Sequence, residues 1–353
     1  MGMRLDCSRT GSVLTPNAGK KMKIASFDHQ NIEKLGIVLA DDRLVDIEQV
    51  VVAMGELPKA WARDMVSLIE SGSAGLLELE KIADWATVHP DKIKPLADGD
   101  VVWQPPVRRP SKICCLALNN SANAERIISG PKHPAIFVKA ANALIGHGQP
   151  IQVKQQYGRV HPEPELALII SKTAKDIDPA DAYDYVFGYT AHNDITSPVM
   201  RAEDTFHYRA IHPADDGSEE IKYIDSFVSY SGRYKGSDSF SPLGPWLVTR
   251  DEIDNPHDLT VTCRHQGRIV TEDNTQNLFH QIPAVLAFIS TYMTLYAGDV
   301  VSLGTALKAA SAGGKAVQNV DLLALGGPIS VTIEKIGTLS NSVHQSDIAE
   351  ALS

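Results

Sequence analysis

The sequence predicts an α+β fold in which strands predominate, and three observations carry this. From residue 112 onward the chain breaks into short apolar runs separated by Gly, Pro and Asn, among them KICCLAL, AIFVKA, LALII, YVFGYTAH, WLVT, LTVTC, DVVSL and ISVTI. Runs of that length bounded by turn residues read as strands. Two helical stretches interrupt them, one opened by Asp178–Pro179 and one over residues 282–297. Helices do not alternate regularly with the strands, which argues against a doubly wound parallel sheet.

Residues 1–21 are polar and aperiodic, lack the apolar core of a signal peptide, and are expected to be a disordered extension outside the fold. Residues 22–102 predict a small N-terminal domain. Apolar alternation in KIASF and LGIVLA gives short strands within 22–52. Residues 57–86 read as helical: Pro58 suits a first turn, and Ala60, Trp61, Met65, Leu68 and Ile69 recur at helical spacing. A break at Ser71–Gly75 precedes a second amphipathic stretch through Leu76, Leu79, Ile82, Ala83 and Trp85. Pro105, Pro106 and Pro110 make residues 103–111 a stiff linker, because proline fixes φ and removes a backbone donor. The domain boundary is placed there, and residues 112–345 form the second domain.

The chain has 353 residues, enough for about two domains. Lys and Arg number 33 against 43 Asp and Glu, a net charge of −10. An acidic chain without a Lys/Arg-rich run is not expected to bind nucleic acid, since neutralising phosphates needs clustered positive charge. No run of about 18 apolar residues exists, so no membrane span is expected. Cys7, Cys114, Cys115 and Cys263 form no CxxC pair, and adjacent Cys114 and Cys115 point oppositely in a strand. Neither a disulfide framework nor a cysteine zinc site is expected, and a reducing cytoplasm fits best.

The segment richest in chemistry is His161-Pro162-Glu163-Pro164-Glu165, followed at once by Leu166–Ile170. Side chains alternate along an extended chain, so His161, Glu163 and Glu165 share a face. Two carboxylates leading into a buried strand repel each other, and a hard dication with oxygen ligands relieves that cost. The plainer alternative is a solvated edge strand, which Pro162 and Pro164 would suit. In a second segment, Tyr185–Asp194, a buried strand ends in His192 and Asp194; Asp194 is either a third carboxylate ligand or a turn residue. Other matches carry nothing. His161-x-Glu163 has no downstream PCxxC, Gly313-Gly314-Lys315 lacks the phosphate-binding frame, and no GxSxG occurs.

Taken together, residues 112–343 resemble the fumarylacetoacetate hydrolase family, with its motifs in order. Phe137-Val-Lys139 followed by Leu144-Ile145-Gly146 is similar to the family's early strand and turn. Glu163-Pro-Glu165-Leu166 matches its ExEL, and Gly188-Tyr189-Thr190 through Asn193-Asp194 its GYTxxND. Lys235 precedes Phe240-Ser-Pro-Leu-Gly-Pro-Trp as the family's active-site lysine does; Gly304-Thr305 opens its GTP loop, and Ile336-Gly-Thr-Leu-Ser-Asn is its closing motif. The resemblance implies a mixed β-sandwich roll with a small N-terminal α/β domain, assembled as a homodimer. It implies Mg²⁺, Mn²⁺ or Ca²⁺ held by Glu163, Glu165 and Asp194, with Thr305, Lys139 and Asn123 among the groups that bind a keto or diketo acid. Breaking a C–C bond beside a carbonyl leaves an enolate; a dication polarises the oxygen where that charge collects, and Lys235 adds a fixed positive donor.

The departures bear on the reaction. The family's His–x–x–Glu lid dyad falls here on Asn123 and Arg126, with Glu125 one position out of register. An amide is no general base near neutrality. The Arg-Asp that follows the family's NDxxA is Pro198-Val199 here, and its GTP proline is Ala306. Replacement bases are His192, Glu125 on the lid segment, or His161, with His192 preferred because a strand places it on the face of Asp194. His207 and His212 lie in a long polar insertion, Arg201–Arg233, expected to cover the site. The leading expectation is a metal-dependent hydrolase of a C–C bond in an acylpyruvate-like diketo acid. The alternatives are a lyase on the same scaffold (an oxaloacetate-type decarboxylase or a 2-keto-3-deoxy sugar acid dehydratase) and a non-catalytic metabolite binder.

Overall fold

The structure, a computed structural model, describes residues 22–121, 127–128, 130–306 and 317–346. Residues 1–21, Asn123, Glu125 and Gly313-Gly314-Lys315 lie outside the described residues.

Strands β1 (Lys23–His29), β2 (Ile32–Val38) and β3 (Leu44–Asp46) form a meander. Helix α1 (Ile47–Ala53) follows, its first turn capped by Asp46, which accepts from Glu48 N at 2.8 Å. Of the helical stretch expected over 57–86, Pro58 lies outside any helix and Ala60–Arg63 form only a 3₁₀ turn; helices α2 (Met65–Glu70) and α3 (Gly72–Val88) follow, and Gly72, at φ +62°, lets the chain turn between them, a shorter break than expected. Next come β4 (Val102–Gln104), β5 (Ile113–Ala117), β6 (Ala135–Lys139), β7 (Leu144–Ile145) and β8 (Ile151–Lys154). The site strands β9 (Pro164–Ile170) and β10 (Val186–Asn193) flank Pro179–Tyr185, which is a 3₁₀ helix rather than an α-helix, capped by Asp178. Helix α4 (Pro198–Glu203) leads to a ribbon, β11 (Thr205–Pro213) and β12 (Ile221–Ser229), which returns to α5 (Gly232–Gly236). Then follow β13 (Ser241–Thr249), β14 (Thr260–His265), β15 (Arg268–Asn274) and α6 (Ile282–Tyr292), which ends five residues before the predicted boundary of 297. The last elements are β16 (Val300–Thr305), α7 (Leu322–Leu325), β17 (Ile329–Ile333), β18 (Gly337–Asn341) and β19 (Val343–Ser346).

The large sheet runs β3-β2-β1-β13-β10-β9-β16-β5-β6, and a smaller one runs β15-β14-β17-β18. Strand β9 is buried throughout, and its parity divides two cores. Leu166, Leu168 and Ile170 face the smaller sheet, packing with Val261, Val331 and Leu339, while Ala167 and Ile169 face the N-terminal helices with Leu68, Leu79 and Ile82. A strand covered on both faces explains the unbroken run LALII. Cys114 and Cys115 do point oppositely, one into each core, and both are free thiols. The mixed sandwich expected from the motifs is therefore the observed fold.

The N-terminal segment is less separate than its composition suggests. Strand β1 pairs antiparallel with β13, so 22–52 extends the sheet that carries the site. The expected linker 103–111 starts inside β4, which pairs with β1, and Val107 is buried in the same core as Ile24 and Ala167. Proline-rich composition reports stiffness but not whether a segment is packed.

Gly188 shows how tightly the central strands approach: a Cβ there would meet Val248 O at 2.2 Å. Gly188→Ala is expected to destabilise the protein by about 1–3 kcal/mol through overpacking, read as a lower urea midpoint with an unchanged slope.

Candidate metal centre

The site lies where β9 begins and β10 ends. Residues Glu165 and His192 are register partners, Pro164 opposes Asn193, and Thr305 opposes Glu165 from the other side. The β9–β16 ladder shifts between Ser302 and Thr305, an irregularity of the kind that re-aims side chains beside functional sites. Two hydrogen bonds fix the approach to β9: Glu163 N donates to Asn193 Oδ1 at 3.0 Å, and Asp194 N donates to Glu163 O at 2.9 Å. Together these bring Glu163, Glu165 and Asp194 so close that one carboxylate oxygen from each lies within 4.8 Å of the others.

Each carboxylate has a different environment. Glu165 is fully buried; Oε2 accepts from Ser302 Oγ at 2.6 Å and from Gly304 N at 3.2 Å. Gly304 sits at φ +86°, and a Cβ there would press on Leu116 O and Asn119 Cβ, so the close approach of this N–H needs glycine. Burial first, then the neighbouring charges of Asp194 and Glu163, push the Glu165 carboxyl well above its ordinary range. Burial also opposes the charge on Asp194, but the ammoniums of Lys139 and Lys235 outweigh it and hold Asp194 below the usual carboxylate range. Lys139 Nζ donates to Asp194 Oδ1 at 2.5 Å, and Lys235 Nζ donates to Asp194 Oδ2 and, at 2.8 Å, to Glu163 Oε2. Burial likewise opposes the Lys235 ammonium, yet Asp194, Glu163 and Glu165 raise its affinity for the proton above that of a free lysine. Glu163 is the most open of the three, its side chain 21% exposed.

With all three carboxylates ionised, as a bound cation would require, the two ammoniums leave one negative charge in excess. The donors are all oxygen, each Asp194 carboxylate oxygen accepts a lysine N–H with a lone pair to spare, and among the described residues no hydrogen bond reaches Glu165 Oε1. That set fits a hard dication better than a soft metal. Glu163, Glu165 and Asp194 are the residues that would hold it.

Several expected site residues have other surroundings. His192, preferred above as a base, is fully buried between two hydroxyls, Nδ1 2.7 Å from Ser302 Oγ and Nε2 2.7 Å from Ser241 Oγ. Burial, with the Lys139 charge, lowers its pKa to about 3. Ser302 spends its proton on Glu165, so it accepts from His192 Nδ1–H, and Nε2 must accept from Ser241: the protons are ordered along one chain. The ring has no surface toward a substrate, which corrects the expectation drawn from strand parity. His161 is also buried, its Nδ1 3.1 Å from Pro162 O. Lys139, expected among the substrate contacts, has no exposed side-chain surface; Nζ is bound by Asp194 and by Phe240 O at 2.5 Å. Thr305 is better placed, since its buried Oγ1 has no partner among the described residues. Asn120 Nδ2 holds Thr305 O at 3.0 Å, and Asn119 Nδ2 holds Leu303 O at 2.8 Å. Ser241, Ser302, Asn119 and Asn120 carried no sequence signal, because their tasks depend on pairings between strands far apart in the chain.

Residues 112–344 match the family model described as fumarylacetoacetate (FAA) hydrolase C-terminal. The chain belongs to the fumarylacetoacetate hydrolase family. It is 28% identical to oxaloacetate tautomerase YisK of Bacillus subtilis over 91% of this chain and 100% of that protein. It is 31% identical to the mitochondrial oxaloacetate tautomerase fahd2 of Xenopus laevis over 67% of each. Among solved structures, maleylpyruvate hydrolase from Sphingobium sp. SYK-6, in complex with manganese(II) and pyruvate, matches with TM-score 0.64 and 26% identity, covering 92% of this chain and 100% of that one. The family thus spans hydrolases and tautomerases, and one relative is named mitochondrial, so membership does not assign the cytoplasm. Among the described residues no helix is long and apolar enough to cross a membrane.

Two outcomes follow from the geometry. Ser302→Ala should weaken Mn²⁺ binding to metal-stripped protein about 10–100-fold by freeing Glu165, read by titration calorimetry. Metal-stripped Glu165 favours its proton, whereas a bound cation favours the carboxylate. Mn²⁺ binding should therefore release protons, and its affinity should rise as pH climbs above the ordinary carboxylate range; calorimetry in buffers of different ionisation enthalpy reads this directly.

Proposed function

We propose that the protein is a divalent-cation-dependent enzyme that draws a 2-keto acid toward its enol form. Lys235 carries this reading: two of its three N–H bonds hold Glu163 and Asp194, which leaves one donor at a side chain 10% exposed beside the carboxylate cluster. A bound dication would supply electrophilic pull on the substrate's oxygens, and the similar maleylpyruvate hydrolase, in complex with manganese(II) and pyruvate, supports that choice of ion and ligand. Mg²⁺ and Ca²⁺ suit the same oxygen donors.

In this reading the free N–H of Lys235 donates to the keto oxygen as negative charge gathers there. Thr305 Oγ1 offers its unpaired hydroxyl to the substrate carboxylate. Lys139 acts on Asp194 rather than on substrate, and His192 positions Glu165 through Ser302. The proton leaving the carbon beside the keto group is assigned to Glu125, with Asn123 as a neutral hydrogen-bonding partner. Once the dication is bound the centre carries one net positive charge, which favours an anionic substrate.

Enolisation is preferred over the expected C–C hydrolysis because it needs no activated water. His192 and Lys139 are already committed to protein partners, and Lys235, as an ammonium, can donate a proton but not accept one from water. Hydrolysis remains the second reading, supported by the likeness to maleylpyruvate hydrolase; the same enolate would then leave from a broken C–C bond. Metal-stripped protein reloaded with Mn²⁺ or Mg²⁺ should speed the decay of the enol absorbance of fresh oxaloacetate. Two acids released from an acylpyruvate would instead favour hydrolysis, and inertness toward both with every cation would end the proposal. Lys235→Met should lower kcat about 10²–10³-fold, as removal of an oxyanion donor does, while cation affinity holds or rises because a competing ammonium is gone.

A further inference from the structure

We infer that Phe137 and Asn142 are positioning residues that aim the Lys235 ammonium. Both act through the role given to Lys235 above, on which this reading rests. Helix α5 (Gly232–Gly236) is a little over one turn, and a first turn costs more conformational entropy than its hydrogen bonds return. The lysine adds a long flexible stem. Lys235 therefore takes its place from the groups packed around it, not from its own helix.

Two of those groups come from β6 and the turn that follows it. Side chains alternate along a strand, so Phe137 and Lys139 share one face of β6. Lys139 reaches Asp194, and the ring centroid of Phe137 lies 5.0 Å from Lys235 Nζ. The π face attracts the positive charge without supplying a lone pair, so it confines Nζ and leaves the third N–H to a better acceptor such as a keto oxygen. The ring is itself held. Phe137 packs against the core that contains Ala167 and Leu68, and its register partner Cys115 is in turn opposed by Ser302. One cross-strand row thus carries a support for the lysine and the serine that donates to Glu165.

Asn142 acts on the backbone. Its Nδ2 donates to Gly236 O at 3.2 Å and to Asp238 Oδ1 at 2.7 Å. Gly236 ends α5, where carbonyls lack partners inside the helix, so one amide closes the helix immediately after Lys235. The same segment is fastened at Ser239, whose Oγ accepts from Gln152 N at 2.7 Å, and at Phe240 O, which accepts from Lys139 at 2.5 Å. Asn142 is exposed, so replacing it leaves the core intact.

Acetylation of the full chain with limiting acetic anhydride, read lysine by lysine in the mass spectrometer, tests the positioning without relying on turnover. Lys235 should react slowly in the wild type and several-fold faster in Asn142→Ala and in Phe137→Leu, while the exposed lysines keep their rates. Unchanged reactivity of Lys235 in either variant overturns the proposal. Kinetics with the enol-decay assay give a second reading. Each substitution should lower kcat about 10-fold with KM nearly unchanged, as a small misplacement of a reacting group does. Neither should cost anything further in a Lys235→Met background. Losses that persist without Lys235 overturn the proposal, because they give the two residues a task of their own. A wild-type protein inert toward keto acids would refute the function proposed above and leave the acetylation rates to decide the positioning.

Discussion

Everything at this site depends on holding the carboxyl groups of Glu165 and Asp194 out of water beside Glu163. Like charges at such separations repel strongly in a low dielectric, and burial adds a desolvation cost to each. The fold offsets this with ammoniums on opposite sides of Asp194, one rising from the end of β6 and one from α5. The offset is incomplete, because the negative groups outnumber the positive ones. That remaining imbalance is what a dication would more than offset, and Lys235 is tied to the same carboxylates that would hold the ion.

Strand β9 makes the arrangement possible. Its parity alternates between two apolar cores, so Glu165 enters on the face of Ala167 and Ile169 while Leu166 anchors the opposite face. Strand β16 runs beside it with the same division: Val301 and Leu303 belong to one core and Val300 to the other, which puts Ser302 on the face of Glu165. Rigidity at Glu165 is thus inherited from packing on both sides of two central strands. The hydrogen-bonded line from Ser241 through His192 and Ser302 extends that rigidity across β13, β10, β9 and β16.

The readings that needed correction share a cause. Alternation along β10 placed His192 near Asp194, and the two do interact electrostatically. Parity counted from one strand says nothing, however, of the serines that β13 and β16 bring against both ring nitrogens. Lys139 was visible as a motif residue, yet its task is set by Asp194 and a backbone oxygen a hundred residues away in the chain. The insertion 201–233 read as polar because its acidic turn dominates the composition, whereas its strands carry apolar residues on both faces.

What the sequence determined by itself was the inventory: a strand-rich family fold, the acidic residues able to hold a cation, and the lysine beside them. These are legible because short-range patterning records burial and because the motifs place reactive side chains at strand ends. Tertiary structure alone decided which groups are committed to one another. It sealed His192 between two serines, turned Lys139 onto Asp194, joined the N-terminal strands to the catalytic sheet through β1 and β13, and left the β11–β12 ribbon uncovered. The physical reason is that hydrogen bonds and desolvation act between atoms in contact, and these contacts are made by strands that are neighbours in the sheet but distant in the chain.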